Sequence, residues 1–576
     1  MYSDKQNILL LTALMRKAAI TEIVVCPGSR NAPVVHNFKE AGFSCYEITD
    51  ERSAGFFALG LIEARGHAVA VCCTSGSAVL NLAPAVAEAY YHPLPLLVIT
   101  ADRPPCWIGQ QDGQTMPQPP AFGTLVRKSV SLPEFQEGQT EARWYCNRLV
   151  NEAFMALRKY NGPVHVNIPI SEPLFGFDTC ELPLSERLIE YSVPDCKLPD
   201  EAARQMTSEC AAVSRMMVVV GQLPPIEAVR VAPGIAALVR KGVVVIAERL
   251  ANLSLDEALP YNFDLILQAY EKKEELAPEM VVTIGGHIVS KRIKQLLRAM
   301  PPRVHWHVSP CGELADLFCC STRLVESSPE TVVSFLAEHS AIPSDKPYWR
   351  HWMRLSCFIG EKTKHVTDYG FSEMSIVSAV TSGLDSRWDI QVANSSAVRH
   401  LQSLADDHRV VMCNRGINGI EGSLSTAVGY ATGGRPTLLI IGDLSFFYDR
   451  NGLWNNFVRR DMYNGKQDMS VSDAPLRILL INNSGGGIFH SLPGLSSSPY
   501  LSQYIAAEHH TSARSMAEES GCAYLSASDG AGLERCKARF LNPEGKVVIL
   551  EVFVDMAEND SALLRFYKDL EGVNNL

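Results

Sequence analysis

No stretch of this sequence stays apolar for the roughly 18 residues that a membrane-crossing helix needs, so no membrane span is expected. The start, Met1-Tyr2-Ser3-Asp4-Lys5-Gln6, is polar and leads into an amphipathic helix, which is not the pattern of a secretory leader. There is no Cys-x-x-Cys among the 16 cysteines and no His-Glu-x-x-His among the 15 histidines, so the familiar zinc and dithiol spacings are missing. Long basic runs are missing as well, and the net charge is −11, which argues against nucleic acid as a partner. The chain has no short-period repeat and no low-complexity tract. Its middle third has no Gly-x-Gly-x-x-Gly, and Gly285-Gly286-His287 is too slight to mark a dinucleotide site.

What is present is a long, core-rich chain. With 576 residues, 47% apolar and 20% charged, it has enough material for several domains with ample interior. The adjacent pairs Cys72-Cys73 and Cys319-Cys320 lie in or beside apolar segments and read as buried, reduced thiols of a cytoplasmic protein. His509-His510 reads as surface.

Short apolar runs alternate with helical stretches throughout. Glu22–Cys26, Ala68–Cys73, Leu94–Thr100 and Pro163–Pro169 read as buried strands of a first unit. Met216–Val220, Val243–Ala247 and Met280–Ile284 belong to a second. Arg409–Met412, Thr437–Ile441, Leu476–Ile481 and Lys546–Val552 belong to a third. The polar stretches 178–199 and 329–348 read as linkers. The expectation is an α/β protein of three doubly wound parallel-sheet domains, at 1–180, 195–340 and 350–576.

Two strand ends in the third unit carry the most chemistry. Gly442-Asp443-Leu444 follows one apolar run, and Asn482-Asn483-Ser484-Gly485-Gly486-Gly487 follows another. Open α/β sheets place ligands at the carboxyl ends of strands. One carboxylate, one amide oxygen and a glycine-exposed backbone carbonyl make a hard oxygen site, which suits Mg²⁺ completed by water and ligand phosphates. The 40 positions from Asp443 to Asn483 include the polar stretch Asp461–Asp468, which reads as an inserted surface loop. Arginines also recur just after strands, at Arg30, Arg103, Arg399 and Arg415. In so acidic a chain their placement favours polyanionic substrates held through carboxylates.

The Gly-Asp…Asn-Asn pattern resembles the diphosphate motif of thiamine-diphosphate (ThDP) enzymes, with leucine in place of the second glycine and a longer gap. Pro27-Gly28-Ser29-Arg30-Asn31-Ala32-Pro33, Thr100-Ala101-Asp102-Arg103-Pro104-Pro105, Asn414-Arg415-Gly416-x-x-Gly419-Ile420-x-Gly422 and Asn482-Asn483-x-Gly485-Gly486-x-Ile488-Phe489-x-x-Leu492-Pro493 narrow it. Together they resemble the 2-succinyl-5-enolpyruvyl-6-hydroxy-3-cyclohexene-1-carboxylate (SEPHCHC) synthase family of menaquinone biosynthesis, which also tolerates Gly-Asp-Leu. The resemblance runs over nearly the whole chain. It implies a ThDP-binding fold and decarboxylation of 2-oxoglutarate, with conjugate (1,4) addition of the succinyl carbanion to isochorismate. Other ThDP-dependent 2-oxoacid decarboxylases and acetolactate-synthase-like enzymes are the alternative, but they have less need of so many arginines.

By the same resemblance, Glu51 is the glutamate that meets the cofactor's aminopyrimidine and helps it ionise. Asp443, Asn483 and Gly485 hold Mg²⁺ or Mn²⁺. Gly416, Ile420, Gly442 and Leu444 contact the cofactor, and Ile488, Phe489 and Leu492 form an apolar wall beside it. Ser395, Arg399 and Arg415 handle 2-oxoglutarate. Ser29, Arg30, Arg103, Gln114, Lys291 and Arg292 handle isochorismate. Because Glu51 and Asp443 lie in different domains, the resemblance implies a homodimer or homotetramer with sites between subunits.

Overall fold

The computed structural model describes residues 1–192, 198–253, 260, 262–404, 409–458, 474–490, 492, 494–544 and 547–576. The stretch 461–468, read from sequence as an inserted loop, lies outside the described residues, as does Lys546. Among the described residues, every pairing between the strands of the three sheets is parallel. The first sheet holds β1 (Glu22–Val25), β2 (Ser44–Glu47), β3 (Val69–Cys73), β4 (Leu96–Asp102), β5 (Lys128–Ser131) and β6 (Val164–Pro169), in the order β2-β1-β3-β4-β6-β5. The second holds β7 (Met216–Val220), β8 (Val244–Ala247), β9 (Met280–Ile284), β10 (Val304–Val308) and β11 (Arg323–Val325), in the order β11-β10-β9-β7-β8. The third holds β12 (Asp389–Val392), β13 (Val411–Met412), β14 (Thr437–Gly442), β15 (Leu476–Asn482), β16 (Ala523–Ala527) and β17 (Val548–Phe553), in the order β13-β12-β14-β15-β17-β16.

The central strands are buried along their whole length, as continuous Val/Ile/Leu runs covered by helices on both faces must be. In the third sheet the order reverses between β12 and β14, and ligands of open sheets bind outside such a switch point. Gly442 pairs with Ile481 across β14 and β15, so Asp443 and Asn483 leave the sheet side by side.

Three sequence readings need correction. The stretch at 329–348 is not a plain linker. Pro329–His339 is a helix that buries Val332, Val333 and Leu336 in the second unit. Pro329 occupies the first helical turn, where its missing N–H costs nothing, and Ser328 caps the helix by accepting from Thr331 N. Cys319 is exposed and Cys320 half-buried, because they sit in the loop before β11 rather than in a strand. His509 is largely buried beside Asp443 rather than on the surface.

The first and third units share one core, in which Phe56, Phe57 and Leu59 meet Leu424, Ala427 and Val428. The helices Glu51–Arg65 and Ser423–Thr432 cross there with backbones in contact. A Cβ on Gly60 would lie 2.0 Å from the Thr426 carbonyl oxygen, and one on Gly429 would lie 2.1 Å from that of Phe57. Only glycine permits this crossing. A second core joins the middle and third units, with Phe263, Ile266 and Ile293 from one and Trp352, Ile376 and Phe566 from the other. No helix among the described residues is long and apolar enough to cross a membrane.

Candidate active site

The apolar run of β14 ends where Asp443 opens a short helix, and burial leaves its carboxylate 3% exposed. Its Oδ1 accepts from Leu444 N at 2.6 Å and its Oδ2 from Gly485 N at 3.0 Å. The Oδ1 of Asn483 accepts from the same Gly485 N–H at 3.2 Å, so two side-chain oxygens converge on one point of the backbone. Burial pushes Asp443 up to about 6, against the pull of those N–H groups and of His509, whose Nε2 lies 3.4 Å from Oδ2. The Nδ2 of Asn483 donates to Glu373 Oε1 at 2.7 Å, and His400 Nε2 lies 3.0 Å from the other Glu373 oxygen. Burial would raise Glu373, but its bonds to His400 and Asn483 win and hold it below the usual carboxylate range.

These residues surround a cavity of about 130 Å³ that Ser395, Ile420, Gly442, Leu444, Ile488 and Phe489 also line. Ser395 takes φ 72°, which turns the chain into the helix Ser396–Ser403 at the cavity wall. A Cβ on Gly487 would strike Asn483 Nδ2 at 2.6 Å, whereas one on Gly442 would meet nothing within 4 Å. The donor set fits a divalent ion shared with a phosphorylated ligand. It offers a buried carboxylate with His509 but no lysine or arginine paired to it among the described residues, an amide oxygen beside it, and open space next to both. No group of three His, Cys, Asp or Glu among the described residues could hold a metal alone, so ligand phosphates and water would complete the shell.

A larger chamber of about 470 Å³ adjoins this cavity, between the second and third units. Lys291, Arg292, Arg399, Ile488 and Leu492 line it, with Glu373 shared between the two spaces. Arg292 is paired with Asp264. Burial, followed by the charge of Arg415, pulls Arg399 below the ordinary arginine value. Arg415 donates to Asn394 Oδ1 at 2.8 Å, and the Nε atoms of Arg399 and Arg415 are both buried without a hydrogen-bond partner. Two crowded guanidinium groups with unused donors are a site for a carboxylate. The loop that carries Arg415 is fixed from the first unit, where buried Glu88 accepts from Gly416 N at 2.7 Å and Ile417 N at 3.0 Å. A Cβ on Gly416 would sit 2.6 Å from the Glu88 carbonyl oxygen.

The remaining sequence candidates lie together elsewhere, at the carboxyl edge of the first sheet. Glu51 follows the helix cap Asp50, and its Oε2 accepts from Asn81 Nδ2 at 3.1 Å. Arg30 donates to the Ile170 carbonyl at 3.0 Å and pairs with Glu172 at 3.1 Å. Arg103 pairs with Asp112 at 3.1 Å and reaches the same Glu172 at 3.9 Å. Ser29 sits in the turn after β1, and Gln114 packs against Gly76, whose Cβ would lie 3.1 Å from the Gln114 Cα. None of these residues lines either cavity near Asp443. One chain thus carries two separate groups of candidates. Sequence reading missed Glu373, His400, Glu88 and His509. Glu373 looked like any acid in the first turn of a helix after a serine cap, and only its position shows what it touches.

Comparison with known proteins bears on the family and the fold. Residues 9–120 match the family model for the thiamine pyrophosphate enzyme N-terminal TPP binding domain, and 198–388 match the thiamine pyrophosphate middle domain. The chain is 43% identical to the SEPHCHC synthase of Phocaeicola vulgatus over all of both chains. It is 44% identical to the SEPHCHC synthase of Bacteroides thetaiotaomicron over 99% of this chain and 100% of that one. The crystal structure of benzoylformate decarboxylase from Polynucleobacter necessarius superposes with a TM-score of 0.69 at 14% identity, covering 96% of this chain and 99% of that one, which is a likeness of fold.

Proposed function

The chain belongs to the ThDP-dependent SEPHCHC synthase family, and we propose that it decarboxylates 2-oxoglutarate and adds the succinyl unit in a 1,4 sense to isochorismate, giving SEPHCHC and carbon dioxide for menaquinone synthesis. The observation that carries this reading is the junction of two spaces. The Asp443–Asn483 cavity opens beside a chamber lined with cations, and Glu373, Gly487 and Ile488 border both.

In this reading Asp443, Asn483 and the Gly485 carbonyl hold Mg²⁺ or Mn²⁺, and Gly416, Ile420, Gly442 and Leu444 bound the cofactor. Bound thiamine diphosphate supplies the electron sink that decarboxylation of a 2-oxoacid requires. Glu51 holds a proton against the aminopyrimidine ring. Arg399 and Arg415, with Ser395, orient the carboxylates of 2-oxoglutarate so that one is lost and the other stays bound. Lys291 and Arg292, with Ser29, Arg30, Arg103 and Gln114, hold the two carboxylates of isochorismate. Ile488, Phe489 and Leu492 keep water from the reacting carbon, which favours carbon–carbon bond formation over protonation.

Glu51 and Asp443 do not meet within one chain, so the site is completed by a second copy, in a homodimer or a dimer of dimers. The protein works in the cytoplasm, where free thiols such as Cys72 and Cys73 persist. The test is consumption of 2-oxoglutarate by purified protein with ThDP and Mg²⁺, with and without isochorismate, read with product mass. Rapid consumption only with isochorismate, yielding the adduct less carbon dioxide, is the expected result. Consumption that ignores isochorismate overturns it in favour of a simple decarboxylase.

A further inference from the structure

An asparagine is an ambiguous metal ligand, because its side chain ends in an acceptor oxygen and a donor nitrogen of nearly the same shape. A turn of the amide by 180° at Asn483 would point N–H groups at a cation. Something must therefore choose the face. On one side of this amide stands Gly485 N–H, a donor, which takes Oδ1 at 3.2 Å and also serves Asp443 Oδ2 at 3.0 Å. On the other side stands Glu373, a carboxylate that accepts Nδ2 at 2.7 Å. A carboxylate has no hydrogen to offer the amide oxygen, so it accepts only one of the two orientations.

Glu373 is itself held on every side. Its backbone N–H donates to Asn559 Oδ1 at 3.0 Å, its second oxygen meets His400 Nε2 at 3.0 Å, and it is 4% exposed. Its helix starts at a two-way cap in which Ser372 and Ser375 bond each other's backbone N–H. A rigid, buried acceptor on a capped helix is the kind of outer partner that fixes a metal ligand.

We propose that Glu373 is a positioning residue that locks the Asn483 amide with its oxygen toward Asp443 and Gly485, and so sets the affinity of the divalent-ion site. The inference rests on the ThDP and Mg²⁺ reading of this pocket. His400 lies next to Arg399 on the same helix, so the lock ties the metal-side amide to the element that carries a substrate-side arginine. The test is calorimetric titration of the metal-free protein with Mg²⁺ at saturating ThDP, comparing unsubstituted protein, Glu373→Gln, Asn483→Asp and the double variant.

A glutamine at 373 can donate as well as accept and no longer selects one face. Glu373→Gln should weaken Mg²⁺ binding by about 10–100-fold, the range for loss of an outer-shell partner. Asn483→Asp alone sets two carboxylates against each other and should also bind poorly. In the double variant either oxygen of the aspartate serves the ion and the other accepts from the glutamine amide. Mg²⁺ affinity should therefore recover by at least about tenfold over either single variant, a coupling that simple loss of packing does not produce. Equal affinity for Glu373→Gln and unsubstituted protein overturns the proposal, and so does weakening with no recovery in the double variant. Absence of Mg²⁺ binding by the unsubstituted protein overturns the cofactor reading and the inference with it. Melting curves of the cofactor-free variants are recorded alongside. If Glu373→Gln alone fails to fold, Asn483→Asp against the double variant carries the test.

Discussion

Asp449→Asn tests whether a buried acid that lines neither cavity controls the pH response of the fold. Asp449 is fully buried, and it caps the helix Ser423–Thr432 from outside, taking Ser425 N on Oδ2 at 2.7 Å and Ser425 Oγ on Oδ1 at 2.8 Å. Burial raises it from 3.8 to about 8, against the Ser425 bonds and the charge of Arg52, with Asp50 adding to the rise. The unfolded chain loses this proton near 3.8, while the folded chain keeps it to about 8. Its contribution to stability is therefore full below pH 4, falls as the pH rises through the interval, and is flat above it. At about 1.4 kcal/mol per unit, the span is worth on the order of 6 kcal/mol.

Asparagine reproduces the protonated side chain, with Oδ1 accepting from Ser425 N and Nδ2 donating to Ser425 Oγ, and it does not titrate. Denaturant midpoints of cofactor-free protein at pH 4, 6.5 and 9 should show the variant gaining on the unsubstituted protein by several kcal/mol from the lowest pH to the highest. Other groups titrate equally in both proteins and cancel in the difference. Midpoint curves that run parallel across this range would refute the reasoning.

Glu51→Gln should lower kcat by at least about 100-fold, as loss of a general acid–base group does, while the melting temperature stays near that of the parent; near-normal turnover removes the role. Arg399→Ala should raise KM for 2-oxoglutarate by at least about tenfold, roughly 1.4 kcal/mol, with a smaller effect on isochorismate. Equal effects on both substrates would mean that the division of arginines is wrong. Glu88→Gln offers one acceptor to two N–H groups, the buried one of Gly416 and the partly buried one of Ile417, and leaving the buried one unsatisfied costs about 1–3 kcal/mol. Thermal melting should fall, and KM for 2-oxoglutarate should rise because Arg415 rides on that loop; a melting change without a KM change would limit Glu88 to structure.

The strands were legible because buried parallel strands are continuous apolar runs, and β7, β9, β14 and β15 fall where those runs lie. Among the strands that went unseen are Val304–Val308 and Arg323–Val325. In one, polar His305 and His307 interrupt the run, and the other has only three residues. Asp443 and Asn483 were legible because each follows such a run directly. Glu373, Glu88 and Asp449 were not, since each acts on a residue 110, 328 or 24 positions away and leaves no local pattern. The close helix crossing that Gly60 and Gly429 permit also depends on two helices that sequence spacing does not relate.

The separation of Glu51 from Asp443 within one chain has a consequence at the level of the gene. In a pair built as proposed, each reaction centre draws Glu51 from one copy and Asp443 from the other. A cell holding two alleles, one damaged at Glu51 and one at Asp443, makes mixed pairs in which one centre carries both lesions and the other carries neither. Two silent alleles together then restore a phenotype that neither has alone. Two lesions on a single allele have no such remedy. Selection at these positions acts on the partnership of two polypeptides rather than on either one.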